Sequence, residues 1–235
     1  MHTKRCTDRP VTPGFTLVEM LTVVGIIALL IALATPTLVD VIRSTRLSSA
    51  GDSLLNRLSL AQQEAIARSK EVEMRFYKYV NTSSDRPTES LFYAYQVVET
   101  PSGGSAQAIS EPYYFESGIV MAPEQQLSPV LQTTAAQQPN AAGDFVFVPG
   151  SGGDGADVEY AALRYYPDGS CRLLNSSTPG TTAQATALAY TVPPLATSFF
   201  TLVETQNVNS GVIPPPNYYC IQIDAYTGKA RIYRP

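Results

Sequence analysis

The arrangement of apolar and polar positions changes three times along the chain. From Met20 to Val39 (MLTVVGIIALLIALATPTLV) no residue carries a charge, a run of 20 positions. A helix of about 20 such residues crosses a hydrocarbon layer of about 30 Å. A helix packed in a globular core seldom stays uncharged around its whole circumference for so long. The run therefore predicts a membrane-inserted helix, with a buried core helix as the bland alternative. After Asp40 the pattern turns amphipathic. Leu47, Gly51, Leu54, Leu58, Ala61 and Ala65 recur at spacings of three and four and make one stripe, with Arg43, Arg46, Asp52, Arg57, Gln62, Glu64 and Arg68 mainly off it. The helix should continue to Arg68 and lay this stripe on its own domain. Residues 15–68 as one helix would measure about 80 Å.

From Glu71 the period becomes two. Val72, Met74 and Phe76 alternate with Glu73, Arg75 and Tyr77, which predicts a half-exposed strand. Residues 91–98, 144–148, 158–166, 170–174, 197–204, 218–224 and 229–234 read as further strands. Pro167-Asp168-Gly169 and Ala225-Tyr226-Thr227-Gly228 read as tight hairpin turns. No helical pattern alternates with the strands, so the sheet should be mainly antiparallel. Stretches 101–110, 123–143, 149–157 and 175–187 are rich in Pro, Gly, Ser, Thr, Gln and Ala, and should be loops that bury little apolar area. The expected class is α+β: a long N-terminal helix, its first half transmembrane, packed on an antiparallel head.

Composition narrows the chemistry. Charged residues make up 15%, and the formal charge is −4, against a general nucleic-acid binder with a basic face. The single histidine is His2, which excludes from the body of the chain a Ser-His-Asp triad, a Cys-His pair and a His-ligated zinc. No pair of carboxylates stands out by spacing, so no catalytic residue is assigned, and neither a cofactor nor a metal is expected. Asp154 and Asp157 in a glycine-rich stretch resemble a loose calcium loop, but they lack EF-hand spacing, and a solvated turn is the favoured reading. Cys171 and Cys220 fall on expected strands and read either as a disulfide or as two buried thiols. Lys229, Arg231 and Arg234, interleaved with Tyr226 and Tyr233, form the one basic spot. On a strand, 229 and 231 share a face. Phosphates with stacked bases would suit such a spot, as would a charge-protected edge strand.

The N-terminal 14 residues, MHTKRCTDRPVTPG, carry Lys4, Arg5 and Arg9 against Asp8 and hold two prolines that disfavour a helix. A secretory signal peptide has a shorter apolar core of about 7–15 residues. Here the run is longer and an acid, Glu19, stands at its entrance. A carboxylate near lipid depth usually has a partner, most simply a cation. Cleavage after Gly14 would create one, the α-amine of Phe15, four residues before Glu19.

Gly14-Phe15-Thr16-Leu17-Val18-Glu19 resembles the N-terminal signal of type IV pilins and type II secretion pseudopilins. The resemblance implies a leader (1–14) cut after Gly14 by a membrane-embedded prepilin peptidase, with N-methylation of Phe15. It implies that Glu19 contacts the N-terminus of a neighbouring subunit during assembly, and that Pro36 is the proline that bends the helix. Three further stretches resemble the H-type minor pseudopilins and related minor pilins: Leu60–Arg68 at the helix end, Leu163–Gly169 at a strand and turn, and Thr227–Ile232 near the C-terminus. Gln62 and Lys229 depart from that pattern, which has arginine at both places.

The organisation so implied is a leader (1–14), a transmembrane and filament-core helix (15–42), an amphipathic helix (43–70), and a β-rich extracytoplasmic head (71–235) with long loops at 101–143 and 149–157. The expected function is a minor subunit of a type IV pilus-like or type II secretion fibre, and not an enzyme. Before assembly it would cross the bacterial inner membrane once, N-terminus inside. Its partners would be the peptidase, sibling subunits and the membrane. The alternative is an envelope protein that binds DNA or an adhesive ligand through the basic tail (Lys229, Arg231, Arg234) or the loops.

Overall fold

The computed structural model describes residues 14–100, 105–149, 158–175 and 189–234, with side chains of 34–40 left undescribed. The chain divides into two compact units, Met1–Ile42 and Arg43–Pro235. One α-helix, α1, runs over Leu17–Arg68. Its assignment is unbroken through position 36, but Pro36 is among the undescribed side chains, so the bend expected there lies outside the described residues.

In the second unit the predicted stripe is the buried one. Leu47, Leu54, Leu58, Ala61 and Ala65 are at most 1% exposed, and Gly51 is buried with them. The helix stops at a Schellman turn: Ser69 N–H donates to Ile66 O at 3.3 Å and Lys70 N–H to Ala65 O at 3.2 Å. Ser69 takes the left-handed conformation at φ 53° that glycine usually fills there.

Twelve strands follow: β1 Val72–Val80, β2 Ser90–Glu99, β3 Gln107–Ala108, β4 Tyr113–Tyr114, β5 Ile119–Met121, β6 Ala135–Ala136, β7 Glu159–Tyr165, β8 Cys171–Leu174, β9 Tyr190–Thr191, β10 Phe199–Glu204, β11 Tyr218–Ile223 and β12 Ala230–Tyr233. They form one sheet in the order β12-β11-β10-β5-β2-β1-β7-β8-β9, with β3 and β4 on β2 and β6 on β7. Each described pairing is antiparallel, as the absence of crossover helices implies. One face carries the main core. There Val72, Met74, Phe76, Val97, Leu163, Tyr165, Phe200, Leu202, Tyr219 and Ile221 pack in one cluster with the helix stripe.

Three expectations are corrected and one strand is added. Strand β1 is not half-exposed: Glu73 and Tyr77 are 0% exposed and Arg75 4%. Its second face lies against Phe147, Val158, Leu174 and Tyr190, and its charges pair with one another. Residues 123–143 bury more than loops of their composition should. Leu127, Ser128, Val130, Leu131 and Gln137 are all buried, around a 3₁₀ turn at Pro129–Leu131. Residues 144–148 do not form a strand. The Gln137 carboxamide takes both backbone groups of Phe147, accepting from its N–H at 3.0 Å and donating to its C=O, and only an isolated bridge, Pro139 to Phe145, remains. Finally, β5 joins β2 to β10 in the middle of the sheet, although Ile119–Met121 is too short for an alternation to show.

Candidate functional site: the apolar helix end

Gly14, Phe15 and Thr16 have no regular structure before the helix starts at Leu17. Gly14, Phe15 and Thr16 are all exposed, Phe15 at 77%. A Cβ added to Gly14 would meet nothing within 4 Å, so a side chain there would offend only an enzyme that holds this backbone closely.

Thr16 and Glu19 form a capping box. The Thr16 N–H and hydroxyl donate to the Glu19 carboxylate at 2.9 and 2.7 Å, and the Glu19 N–H donates to Thr16 Oγ1 at 3.2 Å. Two of the donors left open at a helix start are thus satisfied reciprocally. The sequence carries the signal for it, Thr-x-x-Glu just before an apolar run. Within one chain, Glu19 therefore has a local partner before any amine is offered to it.

Beyond the cap, large apolar side chains face outward on every side of the helix. Leu17, Leu21, Val24, Leu29, Leu30 and Leu33 are each 60% exposed or more, and Val18, Ile26 and Ile27 are exposed too. Monomeric soluble proteins rarely show so large an apolar surface. Among the described residues, no helix is long and apolar enough to cross a membrane. The uncharged run continues from Leu33 to Val39 through side chains outside the described residues.

The other candidates scatter. Cys171 is buried on β8 and Cys220 half-buried on β11, and both are free thiols in this structure. Burial pushes the Cys171 thiol up to about 12. Lys229, Arg231 and Arg234 are exposed at the sheet edge, but they do not make one basic face. Arg231 lies opposite Gln222 and Tyr233 opposite Cys220, while Arg234 reaches the ring of Tyr219, 5.4 Å from its centroid. Tyr219 belongs to the helix-side cluster, so strand parity puts Arg231 and Arg234 on opposite sides of the sheet. Asp154 and Asp157 lie outside the described residues, and among those described no group of three or more His, Cys, Asp or Glu gathers as metal ligands.

Two features escaped the sequence. The first is an ion cluster on the second face of β1. Glu73 accepts from Arg75 at 2.8 Å, from Arg164 at 3.0 and 2.6 Å, and from the Tyr190 hydroxyl. Burial alone would push its carboxyl up, but Arg75, Arg164 and Tyr190 together hold it below its ordinary value. The second is a clasp. Gln62 donates from Nε2 to Gly169 O at 2.8 Å and to Thr227 O at 2.6 Å, and Cys171 N–H donates to Ala225 O at 2.7 Å. The turns at Gly169 and Gly228 meet there, both glycines at positive φ (84° and 65°), and a Cβ on Gly228 would lie 2.3 Å from Gly169 O. The three stretches that carry the resemblance in the head thus converge on one point. Gln62, a departure from the pattern, supplies the amide that joins them.

The described depressions are shallow. One of about 330 Å³ is lined by Lys78, Glu89, Leu91, Glu124 and Asn209, another of about 430 Å³ by Asn56, Arg57, Leu60 and Gln63 on the outer side of α1. Neither gathers the groups of a catalytic site.

No protein-family model matches the chain, and no curated protein matches it. Among solved structures it is similar to the minor pseudopilin EpsH from the type 2 secretion system of Vibrio cholerae, at 9% identity and a TM-score of 0.39, over 81% of this chain and 98% of that one. At that score the likeness carries no argument about function.

Proposed function

We propose that the chain is a prepilin-type subunit that assembles through its N-terminal helix into a type IV pilus-like or type II secretion fibre, as a minor, H-type component. The carrying observation is the helix itself: apolar and exposed on all sides over residues 17–33, with a single acid capped at its start. That surface needs lipid or other copies of the same helix, and a bundle of such helices removes it from water. In this reading the leader ends at Gly14, and the run 20–39 resides in the inner membrane before assembly. Glu19 then exchanges its bond to Thr16 for the amine of a neighbour's Phe15. The bonds from Thr16 already gain from the carboxylate's charge; the amine adds a positive partner that neutralises the acid inside the bundle. No side chain is assigned a catalytic role, and the chain acts as the substrate of a peptidase.

Gly14→Val should abolish processing, read as the absence of a downward mass shift of one leader. Glu19→Ala should still be cleaved yet fail to enter fibres, scored by shearing and immunoblot. Normal fibre entry by Glu19→Ala would remove the assembly role of the acid. Efficient cleavage of Gly14→Val would remove the processing reading.

A further inference from the structure

Strand β12 ends the sheet, and its outer side has no pairing strand among the described residues. Natural sheet edges are usually blunted, because a row of free N–H and C=O groups invites another strand. This edge is blunted by its length of four residues and by its cations, yet it leaves apolar side chains in the open: Ile232 is 40% exposed, Tyr233 49%, and Tyr226 in the adjoining turn 80%. Hydrogen bonds from Thr227 and Tyr226 hold the Asp224 carboxyl below its ordinary value, and Arg231 lies near enough to add to this. None of Lys229, Arg231 and Arg234 is in an ion pair among the described residues.

Arg231 on β12 and Arg234 just past its end lie on opposite sides of the sheet, Arg231 opposite Gln222 and Arg234 over Tyr219. A nucleic-acid duplex would meet only one of these sides. An added strand lies in the plane of the sheet and sends its own side chains alternately to both. We propose that the β12 edge is a strand-addition site for an extended, acidic segment of a partner protein, with carboxylates on both faces of the added strand. The edge cations select the visitor locally, against the chain's overall negative charge: a basic strand is repelled at the edge, and an acidic one is drawn there. This does not rest on the fibre reading, since it concerns only the head.

The test uses the full chain in detergent and short synthetic peptides. In one, pairs of glutamate alternate with pairs of valine, so that acids fall on both faces. In a second, single glutamates alternate with single valines, so that all acids fall on one face. A third replaces the paired glutamates with lysines. Amide hydrogen exchange at 230–233 should slow with the first, change less with the second and stay unchanged with the third. Arg231→Glu with Arg234→Glu should weaken binding of the first peptide by roughly tenfold or more, and the milder Arg231→Gln with Arg234→Gln should weaken it less. Unchanged exchange with the first peptide, or equal slowing by the lysine peptide, overturns the proposal. So does duplex DNA that binds with the same charge dependence and protects 230–233 better. A failed Glu19 test would leave these results standing, which keeps the two readings separable.

Discussion

Two stretches of α1 make opposite use of their apolar side chains. Between 17 and 33 leucine, isoleucine and valine point outward on all sides, whereas between 47 and 65 Leu47, Leu54, Leu58, Ala61 and Ala65 keep to one buried stripe. Each stretch contains a glycine. Nothing lies within 4 Å of a Cβ added to Gly25, whereas one on Gly51 would sit 2.5 Å from the ring of Tyr219. The second stretch has its partner inside the chain. The first is exposed on all sides. The two stretches differ both in how apolar they are and in the angular spread of their apolar positions, and it is the spread that decides whether one face can be buried.

The sharpest way to break this comparison is a pair of truncations. Leu54→Ala empties a site at 0% exposure and should cost about 2–5 kcal/mol, or ~10 °C in the thermal midpoint of the head. Leu29→Ala, at 61% exposure, should leave that midpoint within about 1 °C while weakening association in detergent-free buffer. Calorimetry and sedimentation read the two effects separately. Equal loss of midpoint in both would mean that the first stretch also packs within its own chain.

Next in size is the ion cluster of the head. Glu73→Ala leaves Arg75, only 4% exposed, and Arg164 without their shared carboxylate, and should cost about 3–5 kcal/mol. Glu73→Gln, which keeps a carbonyl oxygen, should cost less. The sign with pH follows from the lowered carboxyl. Its contribution is fully present above the ordinary value of 4.5 and is lost as pH falls through the lower folded value. Acid denaturation should therefore steepen below about pH 4.5 in the parent and flatten in Glu73→Gln. A parallel acid limb in the variant would show that other carboxylates control it.

The helix stripe, the two hairpin turns and the antiparallel sheet were legible because each depends on residues close in sequence: a 3-4 period, a Pro-Asp-Gly, a switch to period two. The burial of Glu73 was not. Besides Arg75, its partners come from β7 and β9, 91 and 117 residues away, and alternation alone reads a charged position as an outward one. The region 123–143 misled in the opposite sense, since Gln137 acts as a short piece of ladder for Phe147, and composition counts glutamine as loop. At the candidate site, Gly14, Phe15 and Glu19 were readable, but the local cap on Glu19 was overlooked. The tail's two arginines were grouped by nearness in sequence, and strand parity separates them. Gln62 stood out only as a mismatch with a pattern, because its bonds reach 107 and 165 residues along the chain.

The smallest effect returns to the two glycines of α1 and gives the comparison a sign. Replacing glycine by alanine inside a helix ordinarily stabilises it by about 1 kcal/mol, through lost freedom in the unfolded chain. Gly25→Ala should follow that rule locally and leave the head's midpoint unchanged, because its added methyl meets nothing. Gly51→Ala drives a methyl into the Tyr219 ring, whose hydroxyl is held by Asp52 at 2.6 Å and whose side chain is 1% exposed, so the ring has little room to retreat. Overpacking of this kind costs about 1–3 kcal/mol, enough to outweigh the propensity gain and lower the midpoint by a few degrees. Tyr219→Leu in the Gly51→Ala background should recover part of the loss, because a smaller side chain leaves space for the methyl. If Gly51→Ala instead raised the midpoint as ordinary helix glycines do, the close seating of Tyr219 on α1 would be wrong, and with it the claim that this stretch of helix finds its partner within the chain.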